Sequence, residues 1–426
     1  MRAPEGGSNR PSTPTGASAD GRPVNSSVGP SRSSSSVGPS RSSSSDDGRR
    51  SNSPRDGRPS IVYFVSTLTT GGAQVGLVRL LSGLDLERYD VTVVTVLSKE
   101  NDVIAELPDG VGLIDLEPLS LRRKPVALYR AVADADVLVC SMYHATLLGR
   151  VLGTIARVPV VVNWLHSERF AGRHRELAWR ATAGLSELIL ADSPAVADAL
   201  REEYGVPADR VRTIPIAGVD TAEFARTDVS SPSGELHVAT VGSLIPPKRH
   251  DRVLETAAAL RERNDETEFV FNVAGTGPLE AELCERRDAL GLENVRFHGF
   301  VEDVPGFLNR NDVYFHTSAY EGLCIAALEA MACELPVVAS PAGGLAHYVE
   351  HGASGYLVDD PDPGAFAASL ERLADPERRR AFGRRGREIV DRDYSREALV
   401  TAFEDVLAEC LDDGPATATP PFVDQE

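Results

Sequence analysis

Ile61-Val62-Tyr63-Phe64-Val65-Ser66 is a short apolar run that reaches Gly71-Gly72 and then passes into a helical pattern over residues 73–84. Strand-like runs recur at 91–97, 137–140, 158–163, 188–191 and 211–215, with helical stretches between most of them. Buried strands alternating with helices imply a parallel α/β sheet covered on both faces. A polar break at 227–235, containing Pro232 and Gly234, separates this series from a second one. The second runs through 237–241, 269–274, 295–298, 313–316 and 336–339, again with helices between. The ordered chain therefore reads as two α/β halves of roughly 170 residues each. Ligands of such sheets sit at the carboxyl ends of the strands, so two facing halves would hold one in a cleft.

Composition narrows the function. The 426 residues carry 63 acidic and 44 basic side chains, a formal charge of −19. An acidic total argues against nucleic-acid binding, which needs a concentrated basic surface. Apolar content of 42% with 25% charged residues is that of a globular protein. No run approaches about 20 apolar residues, so no spanning helix is expected. Arg2 is followed by no apolar core, so no secretory signal is expected either. The expected location is the cytoplasm, or the inner face of the membrane. Lysine occurs only at Lys99, Lys124 and Lys248. An acidic, lysine-poor surface suits a salt-rich cytoplasm and a halophilic (archaeal) origin, and equally a high-GC genome. Cys140, Cys284, Cys324, Cys333 and Cys410 form no close pair and read as buried or incidental thiols.

Residues 1–58 are built from Ser, Gly, Pro and Arg, with a short repeat at Ser31-Arg32-Ser33-Ser34 and Ser40-Arg41-Ser42-Ser43. Such a segment is expected to be a disordered tail, because it has too little apolar surface to offset its ordering entropy. A misassigned start codon would leave the same composition. The expected division is the tail at 1–58, α/β domains at 59–230 and 236–394, a closing helix at 395–410 and a loose end at 411–426.

The strongest chemical signal is Ala319-Tyr320-Glu321-Gly322-Leu323-Cys324-Ile325-Ala326-Ala327-Leu328-Glu329-Ala330-Met331-Ala332. Glu321 is expected at the start of a helix and Glu329 within it. Eight residues is a little over two turns, so both carboxylates would share one face. The spacing alone also describes one solvated helix face. Near a helix N-terminus, a carboxylate and free backbone N–H groups can meet a polar ligand together. The run leads through Leu335-Pro336-Val337-Val338-Ala339-Ser340 into a buried strand.

This stretch resembles the E-x7-E motif of retaining nucleotide-sugar glycosyltransferases of the GT-B fold, the family-four group (glycosyl transferases group 1). The similarity covers nearly all of residues 61–410. It implies two facing Rossmann-like domains with a cleft between them. The N-terminal one would take the acceptor and the C-terminal one the nucleotide sugar. The closing helix would return to the first domain. By the same resemblance Glu329 would hold the ribose hydroxyls and Glu321 those of the donor sugar. Gly322 and the backbone amides of Leu323, Cys324 and Ile325 would meet the sugar and the diphosphate. Many relatives carry Gly or Pro where Cys324 stands.

Other segments follow in the family's order. Val241-Gly242-Ser243-Leu244-Ile245-Pro246-Pro247-Lys248-Arg249-His250 is similar to the G-R-L-x-x-x-K-G loop that grips the diphosphate. Lys248 matches and Ser243 replaces the Arg, so either Lys248 suffices, helped by Arg249, or the diphosphate is held more weakly. A positive group there would stabilise the leaving charge. Gly71-Gly72-Ala73-Gln74 resembles the glycine loop after the first strand, where backbone can approach a phosphate. His166, closing a buried strand, matches the family's donor-sugar histidine. His144 resembles an acceptor-side position loosely. Gly275 and Gly277 resemble a G-x-G-P turn near the nucleotide, and Val301 lies in a segment whose backbone reads the base. In Ile214-Pro215-Ile216-Ala217-Gly218-Val219-Asp220, Ala217 stands where Asn is usual. Arg122-Arg123-Lys124 and the group Arg169, Arg173, His174 and Arg175 could meet a polyprenyl phosphate or an anionic lipid, or be ordinary solvated surface.

Asp134-Ala135-Asp136 and Asp360-Pro361-Asp362 are D-x-D patterns misplaced for a metal site and read as turn or cap residues. Metal independence is expected, with a UDP-, GDP- or ADP-sugar as donor. The resulting expectation is a retaining hexosyltransferase-type enzyme acting on a glycan or lipid-linked hydroxyl acceptor. The alternatives are an epimerase or phosphorylase on the same fold, or a nucleotide- or glycan-binding protein without turnover, which the changes at Ser243 and Ala217 would favour.

Overall fold

The computed structural model describes residues 57–69, 71–97, 102–120, 122–170, 172–227, 234–263, 267–359 and 362–412. Lys99, Asp360 and Pro361, and the expected tails except for residues 57–58 and 411–412, lie outside the described residues.

The first half runs β1 (Ser60–Val65), α1 (Gly72–Gly83), β2 (Asp90–Thr95), β3 (Gly112–Asp115), α2 (Lys124–Val132), β4 (Val137–Ser141), α3 (Tyr143–Ala156), β5 (Val160–Leu165), α4 (Arg173–Ala183), β6 (Leu188–Ala191), α5 (Pro194–Asp198) and β7 (Val211–Thr213). Its strands lie in the order β3-β2-β1-β4-β5-β6-β7, all parallel. The second half runs β8 (Leu236–Val241), α6 (Asp251–Arg263), β9 (Phe269–Ala274), α7 (Glu280–Ala289), β10 (Val295–Gly299), α8 (Val304–Asn309), β11 (Val313–His316), α9 (Ile325–Ala332), β12 (Val337–Ala339), α10 (Leu345–Tyr348), β13 (Gly355–Leu357), α11 (Pro363–Arg372) and α12 (Pro376–Asp393). Its order is β10-β9-β8-β11-β12-β13, again parallel. Both are Rossmann-like sheets whose strand order reverses beside the first strand, between β1 and β4 and between β8 and β11.

Residues of β4, β6, β9 and β11 are buried throughout, as strands covered by helices on both faces must be. Two strands went unexpected, β3 and β13. β3 is only partly buried and β13 is three residues long, so neither prints a continuous apolar run in the sequence. Of the D-x-D residues expected in turns or caps, Asp362 is a cap, whereas Asp136 ties the start of β4 to β1 across 76 positions. Asp136 Oδ2 accepts from the Ser60 amide at 2.8 Å, and Asp362 caps α11 by accepting from the Ala365 amide at 3.1 Å.

A final helix, α13 (Arg396–Asp412), packs on α1 of the first half. Leu399, Phe403, Val406 and Leu407 join the core of Tyr63, Leu77, Leu81 and Trp164, and the Phe403 and Trp164 rings stack at 5.7 Å. The crossing is pinned at Val219, whose amide donates to Tyr394 O at 2.9 Å and whose carbonyl accepts from the Arg396 amide at 3.0 Å. The Arg396 guanidinium pairs with Asp220 at 2.8 Å. Among the described residues no helix is long and apolar enough to cross a membrane.

Candidate active site

The loops following β1, β8 and β11 open onto a cavity of about 1010 Å³ between the two sheets. Gly71 and Gly72 form one wall at the N-terminus of α1, with Ile325 of the second half facing them. At Gly322 a Cβ would stand 2.0 Å from the His166 carbonyl oxygen, so only glycine fits where the halves touch. Gly275 has φ +139 and would place a Cβ 2.0 Å from Gly242 O.

Glu321 is not on the helix. The chain from Ser318 to Cys324 is a loop, and α9 begins at Ile325 with Cys324 in the left-handed region at φ 65. The one-face arrangement of Glu321 and Glu329 is therefore replaced by two separate anchors. Glu321 Oε1 accepts from Lys248 Nζ at 2.6 Å and from Ser318 Oγ at 2.6 Å, and lies 2.7 Å from His316 Nε2. Among the described residues its Oε2 takes no hydrogen bond, and the residue lines the cavity. Burial opposes the charge of Glu321, but the hydrogen bond and charge of His316, with Lys248, hold the carboxyl far below the usual carboxylate range. Burial likewise opposes the imidazolium of His316. The Cys324 sulfur and Glu321 outweigh it and push His316 up to about 9. The Lys248 ammonium is disfavoured by burial and more than restored by Glu321. Behind His316, the Tyr314 hydroxyl lies 3.3 Å from Nδ1 and donates to Val241 O at 3.2 Å.

Glu329 sits in the second turn of α9, buried at the cleft floor. Its Oε1 accepts from Arg79 of α1 at 2.6 Å. Arg79 also donates to Ala217 O at 3.2 Å, which ties the chain where the usual Asn is missing. Burial pushes the Glu329 carboxyl up, and Arg79 offsets only part of it. Glu321 and Glu329 thus share a pattern in which one oxygen is fixed by a cation and the other accepts nothing from the described residues.

On the opposite wall, His166 directly follows β5. Its Nδ1 lies 2.7 Å from Asp192 Oδ2 and its Nε2 2.7 Å from Ser141 Oγ, so both ring nitrogens already have protein partners. Asp192 lines the cavity, and its buried Oδ1 has no partner among the described residues.

Ser243, Lys248, Gly275, Val301, Leu323, Cys324 and Ile325 all reach the cavity wall with the two glutamates. Arg249 does not. It lies at φ 53 with its guanidinium on Asp251 at 2.8 Å. Gly277 packs against the Leu244 backbone behind the wall. His144 and Arg173 are exposed and away from the lining. Arg169 is also outside the lining, but its guanidinium lies 5.8 Å over the ring of Tyr320, beside Glu321. Arg79, Asp192, His316 and Phe300 line the cavity without having been anticipated as site residues. His316 and Asp192 could have been found as polar residues closing or following a buried strand, the signal that singled out His166. Arg79 gave no such signal.

Residues 222–389 match the family described as glycosyl transferases group 1, and residues 70–223 match glycosyltransferase family 4. A D-inositol 3-phosphate glycosyltransferase of Arthrobacter sp. (strain FB24) is 31% identical over 358 residues, covering 74% of this chain and 84% of that protein. The chain belongs to the family-four glycosyltransferases. A protein of the same description from Salinispora tropica is 33% identical over 249 residues, 53% of this chain, and the chain spans only 52% of that relative's length. HepE of Anabaena, crystallised with UDP and glucose, superposes with a TM-score of 0.70 at 21% identity, over 83% of this chain and 100% of that one. Sucrose-phosphate synthase from Thermosynechococcus elongatus gives 0.68 at 22%, over 84% and 100%. These likenesses establish the GT-B fold for this family-four enzyme.

Proposed function

We propose that this glycosyltransferase moves a sugar from a nucleoside-diphosphate sugar to a hydroxyl acceptor with retention at the anomeric carbon. The observation that carries the reading is the pair of glutamates on the cleft floor, each with one oxygen fixed by a cation and one left to accept. Two acceptor oxygens at separate places in a cavity of about 1010 Å³ suit two sets of hydroxyls on one ligand. The ribose goes to Glu329 and the donor sugar to Glu321. Lys248 and the N-termini of α1 and α9 supply positive potential for the diphosphate. As the glycosidic bond breaks, that potential stabilises the departing charge. The diphosphate then helps to take the acceptor's proton on the same face of the sugar. Asp192, held by His166 on the acceptor half, faces the incoming hydroxyl. No metal is assigned a part in the step. The relatives' substrate in D-inositol 3-phosphate transfer, and the UDP and glucose of HepE, are consistent with a polar acceptor and a nucleotide donor.

A thermal-shift panel of UDP, GDP and ADP and their sugars tests the donor. One nucleotide should stabilise the protein selectively, and the shift should shrink in Glu329→Ala. No shift with any of them removes the donor assignment. Product analysis by NMR with the identified donor then reads the anomeric outcome, and an inverted product refutes retention.

The setting we infer is glycan or lipid-linked oligosaccharide synthesis at an anionic membrane surface. Val126 and Tyr129 of α2, Leu148, Val151 and Ile155 of α3, and Leu177 of α4 are exposed apolar side chains on helices that pack side by side. These three helices contain a single acidic residue, Glu176, in a chain with 63 acids. Arg122, Arg123, Arg130 and Arg173 are exposed on or beside them. Apolar side chains ringed by arginine fit an interface of anionic lipid. Sedimentation with phosphatidylglycerol vesicles, but not with phosphatidylcholine vesicles, is expected, and Ile155→Glu should abolish it. Equal sedimentation of the variant refutes the surface.

A further inference from the structure

His316 Nε2, Glu321 Oε1 and Cys324 Sγ converge at the end of β11, all within 4.8 Å of one another. We propose that this cluster is a binding site for a thiophilic divalent cation of the zinc class, and that its occupation shuts the donor cleft. Zinc binds imidazole nitrogen at about 2.0–2.1 Å and thiolate at about 2.3 Å, which sets N and S about 3.6 Å apart in a tetrahedron. The Nε2 to Sγ separation is already 3.4 Å. Nitrogen and carboxylate oxygen belong about 3.4 Å apart in the same geometry. They stand at 2.7 Å, so the carboxylate of Glu321 has only to draw back or present Oε2. The thiol, imidazole and carboxylate set favours zinc over magnesium or calcium, which prefer oxygen alone.

The surroundings are those of a metal ligand set. His316 Nδ1 faces the Tyr314 hydroxyl at 3.3 Å, which leaves Nε2 as the ligating nitrogen once its proton is lost. Ser318 Oγ orients Glu321 at 2.6 Å. Cys324 is held at φ 65, a conformation glycine adopts freely and cysteine does not, so a side chain is kept where the backbone favours none. That side chain's sulfur points at His316. His316 and Cys324 are buried but line the cavity, which supplies the entry path.

Binding replaces one cation with another. The Cys324 thiol and the His316 imidazolium each release a proton, and zinc takes the place of the Lys248 ammonium on Glu321. Lys248, about a fifth exposed, is displaced from its place beside Glu321 on the cavity wall. Glu321 and Lys248 are then both withdrawn from donor binding. That last consequence rests on the donor reading; the metal site does not.

Zinc chloride titrated into the full chain should bind one ion per site with release of protons. Cobalt(II) should show a thiolate-to-metal charge-transfer band, and magnesium chloride should do neither. In the unmodified protein, zinc should protect Cys324 from alkylation, read by peptide mass spectrometry, while Cys284 and Cys410 label as before. Cys324→Ser and His316→Asn should each weaken zinc binding by about 100-fold or more. Alkylation of Cys324 at an unchanged rate overturns the proposal, as does zinc affinity that survives both substitutions. UDP should compete with zinc. Protection of Cys324 without competition leaves the metal site standing and removes the donor assignment; nucleotide binding without protection does the reverse.

Discussion

Raising the pH should loosen the second half of the protein through one residue, His316. The imidazole is buried against Glu321, Ser318 and Cys324 with Tyr314 behind it, and the pKa rises from 6.5 to about 9. That rise corresponds to about 3 kcal/mol at about 1.4 kcal/mol per unit. Because the folded-state value lies above the unfolded one, the native state holds the extra proton. The stabilisation is complete below pH 6.5 and is lost as the pH rises through about 9. Glu321 titrates in the opposite sense. Its carboxyl is depressed, so its contribution is present above the ordinary value of 4.5 and is lost only in acid. Tyr314 is raised well above 10.0 and stays protonated throughout. The window between pH 6.5 and 9 therefore reports mainly on His316. For a domain of this size the loss should lower the melting temperature by roughly 6–12 °C. The assay is calorimetry at constant ionic strength from pH 6 to 9, below the range where the buried Cys140 and Cys333 thiols begin to weigh, comparing the unmodified protein with His316→Gln. The variant should melt lower at pH 6.5 and show little further fall. Parallel pH slopes in the two proteins would refute the reasoning, because the proton would then reside elsewhere.

Lys248→Met removes the cation on Glu321 and, in the proposed reaction, the charge facing the diphosphate, so kcat should fall about 10²–10³-fold. Steady-state kinetics within about threefold of the unmodified enzyme would take Lys248 out of the mechanism. Phe403→Ala empties the stack on Trp164 where α13 meets the first half and should cost about 3–5 kcal/mol in a urea unfolding series, with an unchanged midpoint denying that this helix anchors the fold. The excess of 63 acidic over 44 basic residues predicts a melting temperature that rises in molar KCl as self-repulsion is screened, and a flat profile would remove salt adaptation.

The two-sheet architecture was legible because each central strand is covered on both faces and so must be a continuous apolar run. Residues 188–191, 269–274 and 313–316 coincide with observed strands for that reason. The strands β3 and β13 were not legible, since β3 is only partly buried and β13 is three residues long. The E-x7-E segment and Lys248 were readable as local words. Their geometry was not. Helical spacing put Glu321 and Glu329 on one face, whereas the left-handed turn at Cys324 leaves Glu321 in a loop beside Lys248, 73 residues earlier in the chain.

By itself the sequence determined the order of strands and helices, the repeat of one α/β pattern in two halves, and the residue types available at the strand ends. These follow from local periodicity and from the need to bury apolar runs. Only the tertiary structure decided which charges meet. Arg79 reaches Glu329 across 250 positions, and Asp192 fixes His166 from the next strand. No local pattern encodes such pairings, because they arise where two separate sheets bring their carboxyl ends to one cleft and buried charges there must find partners.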